Sequence, residues 1–448
     1  MSFVVHRVAK SAARYTDAGG REKCGYCRFF VAPRTCGKVV GPVSPAGWCK
    51  YFSRQVAQQY SGAGITGGGG PPGMTLDLNF MSSGNMPPGV TFTRASTATY
   101  TDASGVIQTA AINQPRWDYT GGSLRGLLIE EARTNIWLQS ADASNAAWNK
   151  LGVTAAAPVV TANQTTAPDG TLTAARVVYP AVSAGGSLSQ LHQILNLAVP
   201  NAAQTFSVYL KGAVGGEQTY LNVNSAGTYS RVRVTLTTAW QRFALTTPVL
   251  PGGGYVFVIG TDLGDAGQSS TPAQTIFVWG AQAEGGALSS YIPTLAANVT
   301  RSADLAAMPF TPAASGTYAA RFIPAGVASS LPVIISGNAG SPVMAIGADS
   351  RLVAQVRSGA SVFSGVAPAM TFNVVNKTAF GWLTGASKAA VNGTLLGASA
   401  VALTVTGTSM QLGSDGVTPG NNAINGALQA VQGWPRQLSD AEMQQVTT

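Results

Sequence analysis

"QTFSVYLKGAVGGEQTYLNVNSAGTYSRVRVTLT", residues 204–237, holds three strand candidates in a row. QTFSVYLKG, TYLNVN and YSRVRVTLT are rich in β-branched and aromatic residues, and Gly-containing turns separate them. Similar runs stand on either side: TAARVVY, QRFALTT, YVFVIGTD and TIFVWGAQAE. Short strands at this spacing predict a two-sheet sandwich over residues 140–305. Residues 306–448 repeat the texture with GTYAARFIP, PVIISGN, RLVAQVRSG and KTAFGWLTG, which predicts a second sandwich. Upstream, TLDLNF alternates as a half-buried strand should, and VTFTRASTATYTDASGVIQTA reads as strand, turn, strand. GLLIEEARTNIWLQS fits either a short helix or a strand. Near the end, Ser439 with Glu442 three residues on predicts a capped helical turn.

Composition agrees with a mainly β chain. Only 10% of the 448 residues are charged, so long solvated helices have little to be made from. Length alone suggests about three domains. No apolar run is long enough for a membrane-spanning helix. The first twenty residues lack the apolar core of a signal peptide, so the expectation is a chain made and left in the cytoplasm. Ten of the 27 Lys and Arg, but only two of the 18 Asp and Glu, fall in residues 1–60. Almost all of the +9 net charge therefore belongs to that segment, which argues against nucleic-acid binding by the whole molecule. The segment ends at SGAGITGGGGPPG, whose glycines and prolines make residues 62–73 a linker. Residues 74–139 read as a β-rich connecting segment before the first sandwich.

The basic segment also holds all four cysteines: Cys24, Cys27, Cys36 and Cys49. Four thiols so close together in a cytoplasmic chain suit a tetrathiolate metal site better than disulfides. The spacing leaves zinc and iron–sulfur both open, although a second C-x2-C knuckle, usual in zinc ribbons, is missing. The aromatic surroundings favour a cluster shielded from water. A metal would also stabilise a segment too short for a sufficient core.

The run from Cys24 to Gly47-Trp48-Cys49, with SAARYTD upstream, resembles the high-potential iron–sulfur proteins. That resemblance implies a [4Fe–4S] cluster on the four cysteines, with Tyr15, Phe29 and Trp48 packed against it. Four stretches resemble a module of tailed-bacteriophage structural proteins: FTRASTATYTDASGVIQTAAINQPRWDY, GLLIEEARTNIWLQS, TAPDGTLTAARVV and WGAQAEGGALSSYIPTLAANVTRSAD. Their central part is similar to a jelly-roll carbohydrate-binding module. Residues 306–448, ending VQGWPRQLSDAEMQQV, resemble a concanavalin- or laminin-G-like sandwich. Together the resemblances imply a virion fibre or appendage. Residues 1–61 would dock on other virion proteins, and the sandwiches would bind a host-surface glycan. By analogy the chain would form a homotrimer.

Sugar recognition needs planar aromatics with fixed polar groups beside them, which makes Trp240, Tyr255, Trp382 and Trp434 candidates. Asp169, Asp262 and Asp265 lie on Gly-containing loops that can offer oxygen ligands to calcium. An enzyme is not expected. Glycoside hydrolysis needs two carboxyl groups facing one another, and Glu130 and Glu131, being adjacent, fit ion pairs with Arg125 or Arg133 better. His192, one of only two histidines, reads as a satisfied structural residue. The competing readings are a redox or sensing protein tethered by β modules, and a polysaccharide depolymerase.

Overall fold

The computed structural model describes residues 70–448, apart from 83–84, 184–186, 197–202, 226, 249–253, 262–269, 326–331, 357–360, 365–367 and 416–420. It also describes the short antiparallel pair Phe30–Val31 with Thr35–Cys36. The chain divides into two compact units, Met1–Ser61 and Gly62–Thr448. The second unit is built almost wholly of antiparallel sheet, and the mainly β expectation holds.

Two sandwiches make up this unit, one inserted into the other. The inserted sandwich has two five-stranded sheets. One runs in the order 149–153, 188–196, 254–260, 218–225, 228–235. Its partner runs 159–165, 174–179, 274–285, 204–212, 241–246. The opening stretch of sequence thus supplies strands to both sheets. Leu221, Val223, Phe257 and Ile259 from the first sheet meet Phe206, Val208, Ile276 and Val278 from the second in one core. At the centre, Trp137 stacks on Phe206 (centroids 5.1 Å apart) and meets Trp148 edge-on at 4.8 Å. The long strand Gln274–Gly285 carries a bulge. Ser207 faces Gln282 while Tyr209 faces Trp279, and Gly280 takes φ +65 to absorb the extra residue.

The outer sandwich draws on both ends of the unit. Its eight-stranded sheet runs 394–399, 387–391, 376–382, 316–323, 426–434, 123–129, 117–120. The strand Leu76–Asn79 shares an edge of Gly426–Trp434 with Ser123–Ile129, pairing with Ala430–Gly433 while the other takes Gly426–Leu428. The facing seven-stranded sheet includes Thr91–Thr93 at its edge, paired with Leu305–Pro309. Residues 74–139, a connecting segment on sequence alone, therefore supply strands to both sheets of this sandwich. Glycine and alternating polar residues made that segment look like a string of short hairpins. The partners that absorb it lie far along the chain: Thr93 pairs with Leu305, and Leu76 with Gly433.

The chain enters the inserted sandwich through Arg133–Asn135 and leaves it through Val299–Arg301, and these two strands pair with each other. GLLIEEARTNIWLQS, left open between helix and strand, is strand over Ser123–Ile129 and again over Arg133–Asn135.

The chain's end is the helix Asp440–Thr447, capped by Ser439 as the sequence predicts. Ser439 Oγ accepts from Glu442 N at 3.4 Å, and Glu442 Oε2 accepts from Ser439 N at 2.9 Å. Hydrogen bonds from Arg436 and from Ser439 N hold the Glu442 carboxyl down at about 2. Ser439→Ala is expected to destabilise the protein by about 0.5–2 kcal/mol. Thermal unfolding checks this, and an unchanged midpoint would count against the cap.

Candidate functional site

Three of the four stretches that resemble phage modules meet in a buried charge network. Asp304, fully buried, pairs with Arg94 Nη1 at 3.0 Å and with Arg116 Nη2, and it accepts from Glu130 N at 3.0 Å. Glu130 pairs with Arg116 at 2.8 Å and Arg301 at 3.5 Å. Its two oxygens also accept from Ser290 N and Ser290 Oγ, both at 2.7 Å. Burial alone would raise the Glu130 carboxyl, but Arg301, Arg116 and the Ser290 bonds hold it far below the usual carboxylate range. Glu131 pairs with Arg133 at 2.7 Å, as expected, whereas Arg125 pairs with Asp118 at 3.3 Å. Both Glu130 oxygens are thus engaged by protein partners.

The sugar-stacking candidates fare differently. Tyr255 is 0%, Trp382 1% and Trp434 2% exposed. The Trp382 indole donates to Ala313 O and the Trp434 indole to Pro71 O, both at 3.0 Å. These three rings fill cores and present no face to a ligand, which corrects the sequence reading. Trp240 is half-buried. The ammonium of Lys211 lies 5.1 Å from its ring centre and equally far from that of Phe277. Its indole donates to Thr166 O at 2.8 Å. Asp169 spends its Oδ1 on Thr171 N (3.0 Å) and Thr171 Oγ1 (2.6 Å), closing the turn between two strands. Asp262 and Asp265 lie outside the described residues, as do Tyr15, Phe29, Trp48 and the cysteines apart from Cys36's place in its short strand. No cluster of three or more potential metal-ligating side chains occurs among the described residues.

A different surface gathers polar and aromatic groups. On the outer side of the first sheet of the inserted sandwich, strand register lines up three rows. Leu151, Gln190, Gly260, Tyr220 and Arg233 form one. Asn149, His192, Val258, Asn222 and Arg231 form the next. Ile194, Val256, Asn224 and Tyr229 form the third. The alternation that buries Leu221 and Val223 puts Tyr220, Asn222 and Asn224 on the other face of the strand, where Tyr220 is still only 6% exposed. Tyr229 is 54% exposed, with the Arg231 guanidinium 5.2 Å from its ring centre, and Arg233 lies 5.7 Å from that of Tyr220. Among the described residues, Asn222 Oδ1 and His192 Nδ1 are buried without hydrogen-bond partners. His192 is therefore not the fully satisfied structural residue expected, and burial lowers its pKa, keeping it neutral near neutral pH. Tyr220, Asn222, Arg231, Val258 and Gly260 line a depression of about 10 Å³, the size of one water or hydroxyl. At the Arg233 end, a cavity of about 570 Å³ opens beside Gln218, Glu217 and Thr271. An exposed ring, guanidiniums and amides fixed on a rigid sheet can stack on a flat ligand and hydrogen-bond its hydroxyls. Sequence reasoning missed this face. Its signal was the Tyr, Asn and Arg at alternate positions of 220–224 and 229–233, where Ser and Thr would have meant plain solvation.

No known family profile matches the chain. Among curated proteins, 44 residues are 43% identical to an iron oxidase of Acidithiobacillus ferrooxidans, a match covering 10% of this chain and 49% of that protein. The chain thus spans about half the length of the curated relative it matches. Similar solved structures include domain 4 of an extracellular arabinanase from Geobacillus stearothermophilus, bound to arabinotriose. There the TM-score is 0.28 and the identity 11%, over 36% of this chain and 82% of that one. Carbohydrate-binding modules of the β-sandwich superfamily give 0.26 and 13%, over 42% and 86%. The enzymatically active domain of tailspike protein 4 from bacteriophage CBA120 gives 0.26 and 12%, over 34% and 21%. These likenesses supply no residue correspondence. The class is that of a mainly β protein of nested sandwiches.

Proposed function

We propose that this chain is a structural protein of a bacteriophage virion, a tail or head fibre, that binds a host-surface glycan through the outer face of its inserted sandwich. The observation that carries the binding reading is the set of three rows ending in Arg233, Arg231 and Tyr229. The phage assignment rests on the sequence stretches that resemble virion modules. In this reading the chain binds without cleaving, and the engagement of both Glu130 oxygens by Arg116, Arg301 and Ser290 supports it. The test is a glycan array probed with the whole protein, followed by titration of the best ligand. Tyr229→Ala is expected to weaken binding about tenfold, since a lost ring contact is worth ~1 kcal/mol or somewhat more. Unchanged affinity in that variant, or new reducing ends on incubation with the glycan, would refute the reading.

Residues 1–61 are the docking end, held together by a [4Fe–4S] cluster on Cys24, Cys27, Cys36 and Cys49. The preference for iron over zinc rests on the resemblance of the run Cys24 to Cys49 to the high-potential iron–sulfur proteins. Metal analysis of protein purified without air is expected to find about four irons and four sulfides per chain, with visible absorption. One zinc and no colour would remove the cluster. Virions that still incorporate the protein normally after deletion of residues 1–61 would remove the docking role.

A further inference from the structure

We infer that a second saccharide site, for a single neutral pyranose, lies in a cleft lined by Asp118 and Arg125 of the outer sandwich and by Tyr209 and Arg242 of the inserted one. It is separate from the outer face described above and does not rest on it. The cleft measures about 190 Å³. Sites for drug-sized molecules run to ~300–1,000 Å³, so this one has room for a ring and not for a chain. Its charged groups are Asp118, Arg125, Glu130 and Arg242. Glu130 is held by Arg116, Arg301 and Ser290. Arg242 donates from Nη1 to Ser289 O at 2.7 Å and from Nη2 to Ser207 Oγ at 3.0 Å. Asp118 and Arg125 remain, paired with each other at 3.3 Å, with side chains 23% and 26% exposed.

This pair is balanced in charge and has hydrogen-bonding capacity to spare. Arg125 Nη1 makes the ion pair and a long contact with Thr120 Oγ1 at 3.4 Å, while Nε and Nη2 have no acceptor among the described residues. Asp118 Oδ1 has no side-chain partner among them either. Burial raises the Asp118 carboxyl's pKa, as expected of a carboxylate short of donors. A carboxylate oxygen that accepts beside a guanidinium that donates matches two neighbouring hydroxyls of a sugar ring, which donate to the one and accept from the other. The hydroxyls of Tyr100 and Tyr209, in the same cleft, also lack hydrogen-bond partners among the described residues and can serve further ring oxygens. Ile107, Leu128 and Leu288 add apolar lining that suits the C–H face of a pyranose. An anionic ligand would meet Asp118 and Glu130 together, and a cationic one Arg125 and Arg242. A neutral ligand rich in hydroxyls escapes both repulsions.

The test titrates the whole protein with methyl glucoside, methyl galactoside, methyl mannoside and methyl glucuronide, read by ligand NMR. At least one neutral glycoside is expected to bind. Asp118→Asn, checked for an unchanged melting point, should weaken that binding about tenfold, the worth of one hydrogen bond to a charged group. Tyr229→Ala, on the outer face, should leave it unchanged. Tyr100→Phe removes one hydroxyl and no ion pair, should weaken binding by about half that factor on a logarithmic scale, and decides the matter if Asp118→Asn is less stable. Binding that survives both cleft variants would overturn the inference. Binding lost in Tyr229→Ala alone would also overturn it and move the sugar to the outer face. Methyl glucuronide bound more tightly than methyl glucoside would overturn the neutral assignment. No binding of any methyl glycoside would overturn the site, while the outer-face reading, tested with longer glycans, would stand.

Discussion

Asp304→Asn is expected to destabilise the protein by about 3–5 kcal/mol, the usual consequence of removing one partner from a buried ion network. Asparagine keeps the size and loses the charge. Arg116 and Arg301, both essentially inaccessible, would then keep Glu130 as their acid partner, while the equally buried Arg94 would lose the carboxylate it pairs with. Each guanidinium has further bonds to backbone carbonyls, such as Arg94 Nη2 to Ala111 O (2.7 Å) and Arg301 Nη2 to Glu131 O (2.7 Å). Those satisfy donors without offsetting charge. Chemical denaturation measures the effect, and a loss below about 1 kcal/mol would mean that the network is far better hydrated than its burial implies. The same network sets an acid limit. Glu130 has a folded-state pKa below the 4.5 of an ordinary glutamate, so on acidification the unfolded chain binds the extra proton. The stabilisation is complete above about 4.5 and is lost as the pH falls from there towards the folded value. Stability should therefore decline below that point, and Glu130→Gln should flatten the decline.

Trp137→Ala is the second large effect, about 3–5 kcal/mol for a fully buried tryptophan. Its ring lies between Trp148, Phe206 and Phe257, with centroids 4.8, 5.1 and 6.4 Å away. Alanine would leave a hole that neighbours from both sheets cannot all close. Trp137→Phe separates two contributions. The indole N–H has no hydrogen-bond partner among the described residues, so phenylalanine removes volume but also a buried orphan donor. It should lose much less than alanine does. Equal losses from both substitutions would show that the site needs the indole itself and that a smaller ring fills it no better than a methyl group.

Much of this architecture was readable in the sequence because it is local. Runs such as QTFSVYLKG and YSRVRVTLT carry their strand character within nine residues, and Ser439 with Glu442 carries its cap within four. What could not be read is set by pairing at a distance. Nothing within TLDLNF says that Leu78 lies opposite Val431, or within VTFTRAS that Phe92 lies opposite Ala306. The same limit hid the proposed binding face. Alternation sends Tyr220 and Asn222 out of the core, but only register puts them beside Arg233, Arg231 and His192. Aromatic identity misled at Tyr255, Trp382 and Trp434, because a large ring is as useful to a core as to a sugar.

The pairing of Arg133–Asn135 with Val299–Arg301 has an evolutionary consequence. Both ends of the inserted sandwich leave the outer one side by side, so the outer sheets close without it. A recombination event that swapped residues 136–298 for another sandwich with neighbouring termini would exchange the proposed binding face and leave the scaffold's strand pairing intact. A lineage built this way can change its target by exchanging one cassette, while the residues that hold the scaffold together evolve under their own, separate constraints.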